Sequence, residues 1–489
     1  MNQPTTSTPA RYQALVGGEW IDAGDQWLDV HDPAAWDTVI AQVPSLSADT
    51  VRGAYKSARE GAEQWAATGA LARSAVLFRA AAVLRERAPE LVALLTRENG
   101  KTTAEATVEV AKSAEFFEFY AGLARLPYGE LIHDARERTT TSVRREPVGV
   151  VLVITPWNDP LLTPARKLAP ALFAGNAVVL KPASDTPVIA LELVRALVDA
   201  GVPARAVTTV TGRAGNIADA LLDSDEIDAV TFTGSTEVGL DLQRSLAGRN
   251  LRVQTEMGGK NASIVLKDAD LDLAADTIAA AGFAQAGQRC TATSRVLVET
   301  SVHDALLERL LARAGALVAG AGSAKGTTLC PVINPAHRRE IEEHVARAEA
   351  EGGRVLTGSV DTSGLAADGC FVQPTVVADV TPDMSIWTQE VFGPVIAVMP
   401  VAGLEEAIEL TNASEYGLSA ALFTRDIGAS ETFLDRVRTG QAAVNLPTSG
   451  WDVHHPFGGF KLSGSAHKEQ GLEALHFYQR VKTCAVRAV

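Results

Sequence analysis

The chain of 489 residues carries 44 Lys+Arg and 59 Asp+Glu, which gives a formal net charge of −15. A single hydrophobic core stops growing at about 250–300 residues, so this length predicts more than one domain. The 46% hydrophobic and 21% charged residues exclude wholesale disorder, because they supply enough apolar surface for a core. The acidic balance argues against a nucleic-acid partner, which requires clustered Lys and Arg.

The termini and the cysteines bear on location. Residues 1–6 lack the basic and apolar regions of a secretory signal, and no apolar run approaches the roughly 18 residues that cross a bilayer. The cysteines are widely spaced and form no metal-ligand pattern: Cys290, Cys330, Cys370 and Cys484. We therefore expect a cytoplasmic protein with no membrane contact and no metal.

Helical and strand patterns alternate along the chain. Amphipathic patterns predict helices at 50–67, 70–87, 88–99 and 103–125. Apolar β-branched runs predict strands at 148–154, 177–180, 206–210, 229–232 and 262–266, with helices between them at 160–174, 186–200, 214–222 and 236–247. A second α/β series is predicted over 271–440, with strands near 294–298, 393–399 and 420–424. Strands separated by helices of this length form parallel sheets.

Two further segments, 139–145 and 482–489, alternate polar and apolar residues as half-exposed strands do. They are either edge strands within one domain or strands that pair across a subunit interface.

Cys290 lies in a polar, glycine-containing turn between an Ala-rich helix and a strand. A lone cysteine is often a small buried apolar residue. In this turn it is equally a candidate nucleophile, since the adjacent Arg289 and local backbone dipoles would favour the thiolate.

Three other segments carry candidate ligands or bases. Glu256 precedes two glycines at a strand end and is either a general base or an acid in a surface turn. Gly234 and Ser235 follow a strand and open a helix, which suits an anion, although the dinucleotide fingerprint and the P-loop are both absent. Lys181 follows another strand, where it would hold ribose or phosphate or remain a solvated lysine.

Taken together, the motifs are specific because they occur in one order: VITPWN (153–158), KPAS (181–184), FTGS (232–235), EMGGKN (256–261), GQRC (287–290), EVFGP (390–394) and PFGG (456–459). In these motifs the chain resembles the NAD(P)-dependent aldehyde dehydrogenase superfamily from about residue 12 to about residue 486. The stretch 447–459 is most similar to the α-ketoglutaric semialdehyde and succinic semialdehyde dehydrogenase branch.

The resemblance implies an α/β fold in three parts. A Rossmann-like cofactor domain would comprise 1–126 and 148–258, and an α/β catalytic domain would comprise 259–471. A small β oligomerisation element would combine 127–147 and 472–489 in a homodimer or homotetramer.

The resemblance also implies the catalytic roles. Cys290 would attack the aldehyde to give a thiohemiacetal and then a thioester, with the Asn158 side chain and the Cys290 N–H as oxyanion donors. Glu256 would activate the hydrolytic water, and Glu469 would relay protons to it.

For the cofactor, NAD or NADP, the matching positions are Ile154, Trp157, Lys181, Ser184, Gly212, Phe232, Gly234, Ser235, Glu390 and Phe392. Ser184 stands where strongly NAD-selective relatives carry Glu. Its lack of charge removes the repulsion of a 2′-phosphate. We expect NADP to be accepted, and whether it is preferred stays open.

The substrate residues differ from those of aromatic-aldehyde relatives. Asp159, Thr163 and Arg166 would share one helix face. Arg166 matches an arginine that binds the distal carboxylate of succinic semialdehyde, although it could instead pair with Asp159. A second arginine of that branch is missing at Ala284.

Aromatic residues Trp451 and Phe457 would line the tunnel mouth, with His454 or His455 near the substrate carboxylate. The favoured substrate is an acidic semialdehyde such as 2,5-dioxopentanoate or succinic semialdehyde. The alternatives are a broad aliphatic or aromatic aldehyde dehydrogenase, a CoA-acylating enzyme, which Glu256 argues against, and a non-catalytic, crystallin-like protein.

Overall fold

The computed structural model describes residues 9–22, 26–357 and 360–489. Numbered in chain order, its strands are β1 (Ala10–Arg11), β2 (Ala14–Val16), β3 (Glu19–Ile21), β4 (Trp27–Asp32), β5 (Ala35–Pro44), β6 (Glu130–Ile132), β7 (Thr139–Pro147), β8 (Val150–Ile154), β9 (Ala177–Lys181), β10 (Val207–Thr209), β11 (Ala229–Thr233), β12 (Arg252–Glu256), β13 (Asn261–Val265), β14 (Thr293–Glu299), β15 (Arg354–Thr357), β16 (Thr375–Ala378), β17 (Val395–Val401), β18 (Tyr416–Gly417), β19 (Ser419–Phe423), β20 (Gln441–Val444), β21 (Phe460–Lys461) and β22 (Gln479–Arg487). The helices are α1 (Ala48–Ala67), α2 (Ala70–Glu86), α3 (Ala88–Asn99), α4 (Thr103–Gly122), α5 (Leu162–Ala174), α6 (Val188–Asp199), α7 (Ala214–Leu222), α8 (Thr236–Leu246), α9 (Leu271–Phe283), α10 (His303–Gly315), α11 (Pro335–Ala350), α12 (Ser385–Thr388), α13 (Leu404–Asn412), α14 (Ile427–Arg436) and α15 (Ala474–Tyr478).

The first large sheet is parallel and five-stranded, in the order β10-β9-β8-β11-β12. Strands β8 and β9 are almost continuously apolar, as expected where helices cover both faces of a sheet, and the sheet shares one hydrophobic core with helices α1 to α6. The chain runs outward from β8 to β10 and then returns to the other side of β8 with β11. This reversal makes the carboxyl ends of β8 and β11 a topological switch point, where open α/β sheets bind ligands.

The second large sheet has seven strands in the order β15-β16-β17-β14-β13-β19-β20. Only the edge strand β15 pairs antiparallel with its neighbour, and the other pairs are parallel. Two apolar clusters pack against this sheet. The α/β fold class expected from the sequence is confirmed.

A smaller three-stranded sheet has the order β22-β7-β6. Its two long strands are the alternating segments of the sequence, and they pair antiparallel within one chain from Gln479↔Pro147 to Arg487↔Thr139. Several apolar side chains on this sheet are exposed, including Leu131, Val481 and Val486.

The N-terminal region differs from the sequence expectation. The described residues between 10 and 44 form five strands that the sequence patterns did not indicate. Strands β1, β2 and β3 have only two or three residues, and along β4 and β5 the buried and exposed positions do not alternate. Asp159 was expected on the same helix as Arg166, but α5 begins only at Leu162.

Within the described residues no single helix has the length and apolarity to cross a bilayer. Helices α1 and α2 meet that test only as a pair bent by 112°.

We expect opposite effects from one substitution at two positions of α1. A Cβ at Gly61 would lie 2.1 Å from the Arg205 carbonyl oxygen, so Gly61→Ala should destabilise the protein by about 1–3 kcal/mol through overpacking. Exposed Gly53 has no atom within 4 Å of its added Cβ, so Gly53→Ala should stabilise by about 0.5–1 kcal/mol. Thermal unfolding midpoints check both, and shifts of the same sign would contradict this packing.

Candidate active site

A cavity of about 400 Å³ opens at the switch point of the first sheet. Asn158 follows β8, Glu256 ends β12, and Cys290 lies in the turn before β14. Most of the expected site residues line it together: Trp157, Asn158, Asp159, Thr163, Arg166, Gly234, Ser235, Glu256, Cys290, Glu390, Phe392, Trp451 and Phe457. The cavity therefore joins both large sheets at one reaction centre.

The Cys290 thiol has a different environment from the one its sequence suggests. Burial raises its pKa well above the ordinary value, and the charge of Arg166 opposes that shift. The neighbouring Arg289 donates from Nε to Gln285 Oε1 at 2.5 Å. The cation that opposes this rise in pKa is Arg166, and the role of Arg289 at the thiolate stays a prediction.

Two N–H groups beside Cys290 are available to an oxyanion. The Asn158 amide nitrogen donates one hydrogen bond to the Gln288 carbonyl at 3.1 Å and retains a second hydrogen. No acceptor for the Cys290 backbone N–H is found among the described parts of the chain. Asn158 itself is 8% exposed, so its donor faces a site that excludes most water.

Glu256 is a buried acid with an unused oxygen. Its Oε2 accepts from the Gly459 N–H at 3.2 Å, whereas Oε1 has no partner in the described structure. Burial, and then the charge of Glu469, raise the pKa of Glu256 well above its ordinary value. The alternative of an acid in a surface turn is wrong, because Glu256 is only 2% exposed.

Glu469 lies behind the cavity and is completely enclosed. Its carboxylate pairs with Arg166 at 2.8 Å and with Lys167, and it accepts from Thr233 Oγ1 at 2.8 Å. Burial alone would raise its pKa, but Lys167 and Arg166 outweigh burial and lower the pKa to about 2. A carboxylate held in this way stays ionised at neutral pH, which disagrees with the proton relay expected from the sequence.

One alternative from the sequence was an ion pair between Arg166 and Asp159. The structure does not show this pair. Asp159 instead accepts from Lys101 Nζ at 3.3 Å and Gln285 Nε2 at 3.0 Å. The Arg166 guanidinium lies 4.9 Å from the centre of the Phe457 ring, and its buried Nε has no partner among the described residues. The Arg166 side chain is 13% exposed and lines the cavity, so its guanidinium can contact a ligand there.

Aromatic and acidic residues at the opposite end of the cavity fit a nicotinamide riboside. The Trp157 and Phe392 rings meet edge-on with centroids 5.3 Å apart. Burial raises the pKa of the Glu390 carboxyl to about 7, and its Oε1 accepts from the Gly259 N–H at 2.8 Å. A Cβ at Gly258 would lie 2.1 Å from Glu390 Oε2, so glycine is required there.

The remaining cofactor candidates lie along the first sheet, outside the cavity lining: Ile154, Lys181, Ser184, Gly212 and Phe232. Ser184 Oγ donates to the Gly212 carbonyl at 3.1 Å. Lys181 Nζ donates to the Pro182 carbonyl, which leaves two ammonium hydrogens for a ligand. Burial lowers its pKa to about 8. A dinucleotide extending from the cavity across this sheet therefore fits the residues present.

Sequence reasoning missed several cavity residues and misplaced two others. Glu105, Glu109 and Arg289 all line the cavity. The four-residue spacing between Glu105 and Glu109 was the sequence pattern that could have indicated that these two residues lie on one side of a helix. His454 and His455 are exposed and are not part of the lining, so the structure does not place either against a substrate.

Comparison with known proteins agrees with this geometry. The profile of the "Aldehyde dehydrogenase family" matches residues 20–484. A 2,5-dioxopentanoate dehydrogenase of Saccharolobus solfataricus is 39% identical, over 96% of this chain and 98% of its own. An alpha-ketoglutaric semialdehyde dehydrogenase of Bacillus subtilis is 35% identical, over 97% of this chain and 98% of its own.

Solved structures agree as well. An NAD-dependent aldehyde dehydrogenase from Sinorhizobium meliloti superposes with a TM-score of 0.95 at 34% identity, covering 99% of this chain and 96% of its own. A 3,6-anhydro-L-galactose dehydrogenase in complex with NADP superposes with a TM-score of 0.93 at 33% identity, covering 97% of this chain and 100% of its own. The chain therefore belongs to the aldehyde dehydrogenase family and is an NAD(P)-dependent oxidoreductase that converts an aldehyde to a carboxylic acid.

Proposed function

We propose that this enzyme oxidises an acidic semialdehyde, 2,5-dioxopentanoate or succinic semialdehyde. The observation that carries the proposal is the Arg166 guanidinium, which lines the same cavity as Cys290 on a side chain that is 13% exposed. An arginine binds a carboxylate with charge-assisted hydrogen bonds and fixes its orientation. Arg289 also lines the cavity and supplies a second guanidinium, at a position other than Ala284. The names of the relatives described above support this substrate class.

The first half of the reaction takes place at Cys290. Its thiolate adds to the aldehyde carbon, and the carbonyl oxygen becomes an oxyanion that accepts from the Asn158 side chain and the Cys290 N–H. One such donor is typically worth about 10²–10³ in rate. Bound NAD(P)+ supplies the hydride acceptor for the oxidation. Cys290 Sγ is then left in a thioester with the substrate acyl group.

Glu256 serves the second half of the reaction as a general base. It removes a proton from water, the resulting hydroxide adds to the thioester carbon, and the C–S bond breaks to release the acid and the thiolate. Its Oε1, which has no partner among the described residues, is the oxygen left to accept a hydrogen bond from that water. Glu469 acts here as a fixed anion that raises the pKa of Glu256. Arg166 and Lys167 keep Glu469 itself ionised.

The cofactor site accepts NADP as well as NAD. Ser184 brings no negative charge to the position beside Lys181, so a 2′-phosphate meets no repulsion from residue 184 and gains the attraction of the ammonium group. Trp157, Gly234, Ser235, Glu390 and Phe392 hold the nicotinamide half, and the residues along the first sheet hold the rest.

The domain division follows the same family pattern. Residues 1–126 and 148–258 form the cofactor domain, and 259–471 form the catalytic domain. The β22-β7-β6 sheet, from 127–147 and 472–489, is the oligomerisation element of a homodimer or homotetramer. Two features of this sheet support that role: its apolar side chains are exposed, and each outer strand is paired on one side only. A free strand edge favours pairing with another chain. We place the enzyme in the cytoplasm.

The substrate proposal is tested by measuring kcat/KM for 2,5-dioxopentanoate, succinic semialdehyde, benzaldehyde and propanal, each with NAD and NADP. We expect the acidic aldehydes to lead by at least about tenfold, or about 1.4 kcal/mol of transition-state discrimination. Both cofactors should support turnover. In Arg166→Ala that lead should vanish, because the carboxylate loses its guanidinium partner.

The neutral aldehydes are the internal control, since an Arg166 that only supports Glu469 would affect all four substrates alike. Arg338→Ala, which breaks an Arg–Glu pair on the surface of α11, should leave every value unchanged. A lead by benzaldehyde or propanal would reject the semialdehyde proposal and favour a broad-specificity enzyme.

Glu469→Gln should move the acidic limb of the thioester-hydrolysis profile to lower pH. In the native enzyme the Glu469 charge raises the Glu256 pKa. The substitution removes this anion and leaves Arg166 and Lys167 without their counter-charge, and both changes favour ionised Glu256. Because the base works as the carboxylate, hydrolysis rises with pH through the Glu256 pKa. The single-turnover decay of the acyl-enzyme between about pH 5 and pH 10 measures this limb.

Glu118→Gln is a matched control, because Glu118 pairs with Arg85 on the surface, away from the cavity. Its profile should coincide with that of the native enzyme. A Glu469→Gln profile that is lower at every pH but not displaced would contradict the fixed-anion role and fit a proton relay.

A further inference from the structure

The start of helix α4 contacts both loops that carry the proposed catalytic groups. Lys101 lies just before the N-cap residue of α4, and Glu105 and Glu109 lie four residues apart on one side of the helix. Lys101 and Glu109 are 1% and 3% exposed, so their charges have to be satisfied inside the protein. Neither the established activity nor the sequence motifs assign these three residues a role.

Lys101 and Glu109 hold the loop of Asn158. Lys101 Nζ donates to the Asn158 carbonyl at 2.9 Å and pairs with the Glu109 carboxylate. Glu109 Oε1 accepts from the backbone N–H groups of Leu161 and Leu162, at 2.9 Å and 3.0 Å. One buried ion pair thus holds the middle and the end of the segment between β8 and α5.

Glu105 holds the loop of Cys290. Its Oε2 closes the capping box of α4 by accepting from the Thr102 N–H at 2.9 Å, and its Oε1 accepts from the Gln285 N–H at 2.7 Å. Gln285 and Ala286 both have a backbone φ of 52°. This value lies in the left-handed region, which residues other than glycine rarely adopt. A hydrogen bond from outside the loop therefore helps to maintain this conformation.

The two loops are also bonded to each other. Asn158 donates to the Gln288 carbonyl at 3.1 Å, and Gln285 Nε2 donates to Asp159 Oδ1 at 3.0 Å. Lys101 reaches the same Asp159 carboxylate. Because each bond depends on the position of both loops, a shift of either one displaces the Asn158 donor relative to Cys290.

We propose that Lys101, Glu105 and Glu109 form an α4 clamp that positions Asn158 and Cys290 for attack on the aldehyde. They are positioning residues, since they act through the two loops. The inference rests on the proposed roles of Cys290 and Asn158. A displacement of about 1 Å at such a site can reduce the rate about 10²-fold.

Two cofactor-free reactions of the full-length enzyme test the clamp. Acylation by p-nitrophenyl acetate requires both the thiolate and the oxyanion donors, whereas alkylation by iodoacetamide requires the thiolate alone. In Lys101→Met, acylation should fall at least about tenfold, while alkylation stays within about twofold of the native rate. General loosening of the protein would slow both reactions alike.

Glu105→Gln provides a second variant in case Lys101→Met does not fold. Thr102 and Gln285 donate to different oxygens of Glu105, and an amide keeps only one of these two positions as an acceptor. One of the two hydrogen bonds is therefore lost, and the same separation of the two rates is expected. Glu118→Gln makes the same exchange at the surface of α4 and should react like the native enzyme.

The outcomes separate the two proposals. If Cys290→Ala retains acylation, the proposed catalytic role of Cys290 fails and the clamp fails with it. If Cys290→Ala loses acylation but Lys101→Met and Glu105→Gln acylate at the native rate, the clamp alone is overturned. An equal fall of acylation and alkylation in these variants would also overturn it.

Discussion

The site depends on buried charges that require partners. An ion enclosed without a counter-charge costs several kcal/mol, so each buried side chain constrains the element that carries its partner. Glu469 satisfies Arg166 and Lys167, which attaches the segment before α15 to α5. Lys101 and Glu109 attach the start of α4 to the loop before α5. The cavity lies between these two ion pairs, and its walls are fixed by them.

The same burial sets the chemistry. Enclosure raises the pKa of both Cys290 and Glu256, so each rests protonated more readily than it would in water. Arg166 opposes this shift at the thiol, and Lys167 opposes it at Glu256. The sequence indicated Arg289 as the cation beside Cys290, whereas the cation that opposes the rise in its pKa is distant in the chain. A single α5 turn carrying Arg166 and Lys167 therefore influences the nucleophile, the base and the proposed substrate contact.

Features that depend on nearby residues were predictable from the sequence. The apolar run ending at Ile154 predicted β8, and the Gly234–Ser235 pair after a strand predicted the start of α8, where Ser235 accepts from the Val238 N–H. The ordered motifs indicated the family and placed Cys290, Glu256 and Asn158 in one site.

Features that depend on distant residues were not predictable. Arg166 and Glu469 are 303 positions apart, and no local pattern indicates that they pair rather than Arg166 and Asp159. The pairing with Lys167 and Arg166 lowers the pKa of Glu469 to about 2 against the effect of burial, and it arises only from packing of the whole chain. The α4 clamp has a visible spacing of four residues, but its contacts to Asn158 and Gln285 follow from tertiary structure.

In the proposed mechanism, the aldehyde becomes a thioester on Cys290, which Glu256 then hydrolyses. The most direct measurement is peptide mass spectrometry of Glu256→Gln, quenched with acid after incubation with 2,5-dioxopentanoate and NADP+. We expect the acyl mass on the peptide that contains Cys290, because the thioester forms but its hydrolysis is slow. An enzyme that turns over normally and carries no adduct, or one acylated at Cys330, Cys370 or Cys484, would contradict the account.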